Sequence, residues 1–174
     1  LEQTRVQLLS EMRFTDSIFS GVNVRAGFTD YEHVEVEGGE AGTTFENETY
    51  ELRLDLLHQP IADFKGGVSF HYKHSDVAAQ GSEAFTPPSE TEMFALAIME
   101  ERHLGDVLLQ LGARVERVTL DAGELLVPEL EAHAHDEHEH DGEEQMFVAD
   151  YSYTPVSLSA GAVWDFTQGY NAAV

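Results

Sequence analysis

Cysteine is absent from the 174 residues, so neither a disulfide frame nor a thiolate zinc site can form. Basic residues are scarce as well. Nine Lys and Arg stand against 33 Asp and Glu, a formal charge of -24, which argues against nucleic acid or an anionic lipid surface as a partner and makes cations the natural ones. No stretch approaches the ~20 consecutive apolar residues of a membrane helix, so any insertion into a bilayer has to use β-strands. Catalytic signatures are missing too. Ser157 and Ser159 sit beside no nucleophile elbow, there is no phosphate-cradling glycine loop and no His-Glu-x-x-His run. Carboxylates are plentiful, yet nothing singles out a pair held in a cleft that would perturb one of them, and the chain is read as a non-enzyme. It begins at Leu1 without an initiator Met and stops at Val174, which suggests an excerpt from a larger protein.

What is present is concentrated. Between Glu131 and Glu144 the chain places His133, His135, His138 and His140 among acidic residues including Asp136. Neutral imidazole is the commonest side-chain ligand of zinc, copper and nickel, and carboxylates add ligands and an attractive field. No fixed spacing defines one tetrahedral site, so the run reads as several weak, exchangeable sites. Its plainer reading is a solvated acidic loop with incidental histidines.

Period-two patterning runs through nearly the whole chain. Val22, Val24, Ala26 and Phe28 alternate with Asn23, Arg25, Gly27 and Thr29; Tyr50, Leu52, Leu54 and Leu56 with Glu51, Arg53 and Asp55. The same holds for Phe64 to Tyr72, Val107 to Val115 and Val156 to Trp164. Residues 4–13 are weaker, and 91–102 is apolar on both faces, so that it could pass for a helix; its neighbours and length argue for a strand. Connections are expected near 14–17, 37–43, 59–63, 76–90, 103–106, 120–150 and 165–169, alternately short and long. In an up-and-down antiparallel sheet, alternate connections share an end. This is the layout of a transmembrane β-barrel, with short turns on one side, long loops about 37–43, 76–90 and 120–150 on the other, and aromatic girdles between. The expected fold class is therefore all-β, an antiparallel up-and-down segment of about seven to eight strands forming part of one barrel domain over 1–174.

Several short motifs carry a resemblance. Gly27-Phe28-Thr29-Asp30-Tyr31-Glu32-His33, Gly42-Thr43-Thr44-Phe45-Glu46-Asn47 and Tyr50-Glu51-Leu52-Arg53-Leu54 resemble barrel strands of TonB-dependent outer-membrane receptors. Gly81-Ser82-Glu83-Ala84-Phe85-Thr86-Pro87-Pro88 looks like a loop of that family, and Leu111-Gly112-Ala113-Arg114-Val115-Glu116 like another strand. With the His-rich loop added, the chain is similar to the zinc-uptake subgroup. The resemblance implies a bacterial outer-membrane location, a 22-stranded barrel of which about a third is present, a separate plug through which the TonB complex supplies energy, and uptake of a metal ion or metal complex. Zinc would be the cargo, with copper or nickel as the other candidates. On this reading the loop captures the metal and lumen groups receive it. His33 and His71 are the lumen candidates by parity, with Tyr31, Glu35 and Glu51 as neighbours, although a solvated strand-end histidine is the plainer account of His33. His74 falls in the lipid-facing register close to a loop and is ambiguous. His58 and His103 lie at short turns and receive no metal role; Glu37, Glu40, Glu90 and Glu92 read as solvated loop charge. Two alternatives stay open: a complete eight-stranded outer-membrane barrel serving adhesion or structure, and a soluble β-rich metal-binding module.

Overall fold

The computed structural model describes residues 1–38, 40–81, 86–126 and 146–174. They form one antiparallel sheet: β1 (Glu2–Arg13), β2 (Phe19–Glu37), β3 (Glu40–His58), β4 (Lys65–Gly81), β5 (Ser89–Leu104), β6 (Val107–Leu126), β7 (Met146–Tyr153), β8 (Val156–Thr167) and β9 (Tyr170–Ala173). Each strand pairs with the next up to β6, as the alternation requires, and no helix occurs among the described residues. β7 and β8 both pair with β6, β7 along its outer part and β8 along Val107–Val115, so together they make one line interrupted at Thr154-Pro155. Proline has no N–H to give a further strand, but its carbonyl accepts from the Glu116 amide at 3.0 Å and keeps the ladder to β6 intact. Arg117 clamps the break by donating to Thr154 Oγ1 at 3.2 Å and Ser152 Oγ at 3.0 Å. The all-β, up-and-down expectation holds, and residues 89–104, ambiguous from their pattern, are strand because both neighbours pair with them.

The connections differ from expectation in an informative way. Tight reversals occur where short ones were expected, at 105–106 and 168–169, with Gly105 and Gly169 at φ 64° and 84°, the left-handed region glycine enters without penalty. At Ile61–Phe64 the central residues Ala62 and Asp63 both have positive φ, and the Arg102 guanidinium covers the Phe64 ring at 5.1 Å. At the opposite end, the long connection expected at 37–43 is instead a tight reversal between Glu37 and Glu40, because Val34 and Val36 go on to pair with Thr44 and Ala41. Likewise β4 continues through Asp76–Gly81 and β6 through Leu120–Leu126, where loops were expected to begin. Segments with small residues and glycine read as loops, yet cross-strand amide bonds carry them on as strands. Among the described residues, part of the asymmetry between the two ends is strand overshoot.

Paired residues across neighbouring strands share a face. One face collects Val24, Leu54, Phe70, Leu96, Val115 and Val156 in a single cross-strand row, with Val22, Leu56, Val68, Ile98, Ala113 and Leu158 in the next. Little covers it: Leu96 is 53 %, Ile98 45 % and Leu158 81 % exposed. The other face carries Arg25, Arg53, Asp55, His71 and Arg114 and bounds a cavity of about 870 Å³ reaching from β2 to β8, so the sheet curves toward its polar side. Among the described residues the only buried hydrophobics are Ala95 and Val118, and both lie on that polar, concave side. The large apolar side chains thus stand on the open face and the enclosed ones on the polar face. The accessible surface is 13532 Å², against roughly 8,500 Å² for a compact soluble monomer of this mass.

The apolar band also runs obliquely. Its upper edge is Phe28 on β2 but Val156 on β8, and Val156 stands in the row of Val24, four residues lower along the strands. Four residues over five strand spacings amount to an inclination of roughly 30°.

Candidate metal centre

At the end of the sheet where β4 and β5 overshoot the apolar band, three metal-type ligands converge. His74 and Asp76 are two apart on β4 and therefore project from the same face, and Glu90 on β5 is the direct cross-strand partner of Asp76. His74 Nε2 lies 3.0 Å from Asp76 Oδ2, and its Nδ1 lies 3.6 Å from Glu90 Oε1. One donor atom from each of the three falls within 4.8 Å of the others. Tyr50, opposite His74 on β3, shields the imidazole with its ring centroid at 6.2 Å, leaving the histidine side chain 21 % exposed. Tyr72 donates to Glu92 at 3.2 Å and so holds a third carboxylate beside the group. A small rotation of half-exposed Asp76 and Glu90 would bring one imidazole nitrogen and two carboxylates onto one ion, leaving a position open for water or an exchanging ligand.

The field around the group is set by register. Asp30, Glu48, Asp76, Glu90, Asp121 and Asp150 are successive partners in one cross-strand row spanning β2 to β7. Like charges directly opposite one another repel, and a divalent cation relieves that repulsion. Glu46, Glu48, Asp76, Glu90 and Asp121 border a cavity of about 520 Å³ there. Capture here would be loose and fast, since carboxylates at a solvated rim bind divalent ions through few ligands.

The histidines singled out by parity fall elsewhere. His33 stacks on Phe45, ring centroids 4.7 Å apart and nearly parallel, with Tyr31 at 5.5 Å; its Nδ1 is enclosed without a hydrogen-bond partner, and it joins no metal-type group among the described residues. His71 Nε2 meets Glu51 Oε1 at 2.8 Å on the polar face. The His71 row contains Arg25, eight residues from His33 along β2, a separation of roughly 26 Å that no single ion bridges. His58, at the turn end, contacts the Gln59 carbonyl at 2.6 Å and Glu100 at 2.9 Å, a structural clip between β3 and β5. His133, His135, Asp136, His138 and His140 lie outside the described residues. Their loop leaves β6 after Leu126 and rejoins at its partner Met146, so it springs from the same end of the sheet as His74, Asp76 and Glu90.

Asp76 and Glu90 are the candidate ligands that sequence reasoning missed, because both fell in an expected loop. The usable signal was His74-x-Asp76, the same-face spacing of a strand that continues. Replacing His74 by Ala, or Asp76 and Glu90 together by Asn and Gln, is expected to weaken Zn²⁺ binding at this rim by at least about tenfold. Calorimetric titration of a protein whose four loop histidines are already Ala checks this, since unchanged affinity would remove the site. No family model matches the chain.

Proposed function

We propose that this chain is part of the barrel wall of an outer-membrane receptor of the TonB-dependent kind, taking up a divalent metal, zinc first among them. The observation that carries the reading is the uncovered, oblique apolar band. A band inclined to its strands is what tilted barrel strands need, because the bilayer plane then cuts across the cross-strand rows. Lipid on the convex side and water in the lumen match the inverted distribution of burial: leucines outside, charges inside. Strands of 16–20 residues in β2 to β6 exceed the ~9–11 that cross a bilayer, and the excess at one end would stand clear of it. That end carries His74, Asp76, Glu90 and the root of the His-rich loop.

The metal function follows from that end. An acidic, imidazole-bearing rim raises the local concentration of scarce cations and releases them readily to the lumen. Transport against a gradient would draw its energy through a plug coupled to the TonB complex, as the family resemblance implies.

The test is zinc uptake at limiting zinc by cells carrying the intact protein, a deletion, and a variant with His133, His135, His138 and His140 replaced by Ala. The deletion is expected to lose uptake. The loop variant is expected to be impaired mainly at the lowest zinc, where capture limits the rate. Intact uptake in the deletion strain would refute the zinc reading.

A further inference from the structure

Charge interrupts the open apolar face at its turn end. Glu100 and Arg102 stand two apart on β5 and so project from one side of the sheet, the side that carries Ile98 before them and Leu104 toward the turn. Their row neighbours are apolar: Leu111 and Leu109 on β6, then Ala160 and Ala162 on β8. A carboxylate and a guanidinium thus sit at the margin of the apolar band instead of on the polar face. From these two residues the margin descends toward exposed Trp164 on β8, in the same sense as the band's upper edge. Aromatic side chains at such a margin mark the level of lipid headgroups.

Each of the two groups is held in place and left partly open. Glu100 lies across β4 to reach His58 Nε2 at 2.9 Å, a path that exists because its cross-strand partner is Gly66: an added Cβ there would meet Glu100 Oε2 at 2.6 Å. His58 uses only part of the carboxylate, whose two oxygens can accept further donors. Arg102 covers the Phe64 ring at 5.1 Å, and its Nε is enclosed without a hydrogen-bond partner. Its ion-pair partner among the described residues, exposed Asp63, stands 3.6 Å from Nη2, beyond hydrogen-bond reach. The guanidinium fork is therefore fixed by stacking but unsatisfied, with two carboxylates beside it.

We infer that Arg102, Glu100 and Asp63 bind the headgroup of a zwitterionic phospholipid whose ammonium carries N–H donors, as in phosphatidylethanolamine. The inference rests on the barrel-wall reading proposed above. Arg102 takes the phosphate, Glu100 and Asp63 take the ammonium, and the acyl chains run over Ile98 and Leu158. Opposite charges one same-face step apart, roughly 7 Å along the strand, suit a headgroup that carries both signs. An anionic headgroup would satisfy the arginine and repel the carboxylates, and a chain of formal charge -24 disfavours anionic lipid in general. A trimethylated ammonium has no hydrogen to give the carboxylates.

The test is binding of short-chain phospholipids to the purified intact protein in detergent, with ethanolamine, choline and glycerol headgroups on identical acyl chains and inorganic phosphate as a fourth probe. The ethanolamine lipid should bind at least about fivefold tighter than the other two, and phosphate should not displace it. R102Q should weaken the ethanolamine lipid at least about tenfold. E100Q, which keeps the shape of the side chain, should bring it down to the choline lipid and leave the choline lipid unchanged. Heat-modifiability on gels verifies that each variant is folded, and either one suffices. E101Q, one residue along on the polar face, should leave all affinities as they are. Equal affinity for the three headgroups, tighter binding of the glycerol lipid, displacement by phosphate, or an ethanolamine preference that survives the substitutions would each overturn the inference. A folded barrel without headgroup preference leaves the barrel-wall reading standing, whereas a protein that is folded and monomeric without detergent refutes that reading and the lipid site together.

Discussion

Leu96→Arg is expected to destabilise the protein by about 2–4 kcal/mol in a bilayer and to cut its assembly into membranes sharply. Leu96 lies mid-band, between Phe70 and Val115 in the apolar row, and is 53 % exposed. In lipid the arginine has nowhere to place its charge. If the same face were washed by water, an already half-exposed leucine could become arginine at a cost within about 0.5 kcal/mol. The two environments therefore predict outcomes far apart. Ala97→Asp, one residue along and opposite Arg114 on the polar face, serves as the control and should assemble normally. Heat-modifiability on gels and the fraction recovered in membranes report both variants; normal assembly of Leu96→Arg would end the barrel reading.

The second large effect concerns the chain by itself. Residues 1–174 in plain buffer should show no cooperative unfolding transition and should aggregate, while detergent micelles or the intact barrel should rescue β-sheet circular dichroism. Two features dictate this. The apolar face has no second layer among the described residues, and patches of this extent do not stay monomeric in water. Among the described residues, β1, exposed along its whole length, leaves one row of amide and carbonyl groups unpaired, and the short β9 covers only the turn end of β8 on the other side. A sharp urea transition with a normal slope, in buffer alone, would instead identify a self-sufficient soluble module.

Carboxylates dominate one face at the overshooting end and guanidiniums the opposite face lower down, although both belong to the same strands. Period two makes this possible, because adjacent residues such as Glu48 and Thr49, or Leu52 and Arg53, face opposite environments. A one-residue slip of any strand would exchange the environments and bury charge against apolar surroundings, so the register is strongly enforced.

Much of this was written in the chain. Alternation in Val22–Thr29, Tyr50–Leu56 and Val107–Val115 determined that these segments are strands and which of their side chains share a face, because side-chain direction in a strand depends on local geometry alone. Turn positions at 105–106 and 168–169 were equally local, set by glycines able to take positive φ. Two matters were decided only by the tertiary structure. Where the strands end depended on partners: Asp76–Gly81 is strand because residues 43–48 are there to bond it, and nothing in its small-residue composition announces that. Which ligands meet depended on register across residues distant in sequence. His74, Asp76 and Glu90, the six-carboxylate row, and Arg25 facing Arg53 all arise from pairings between strands, and cross-strand pairing is a property of the assembled sheet that no periodicity within one strand contains.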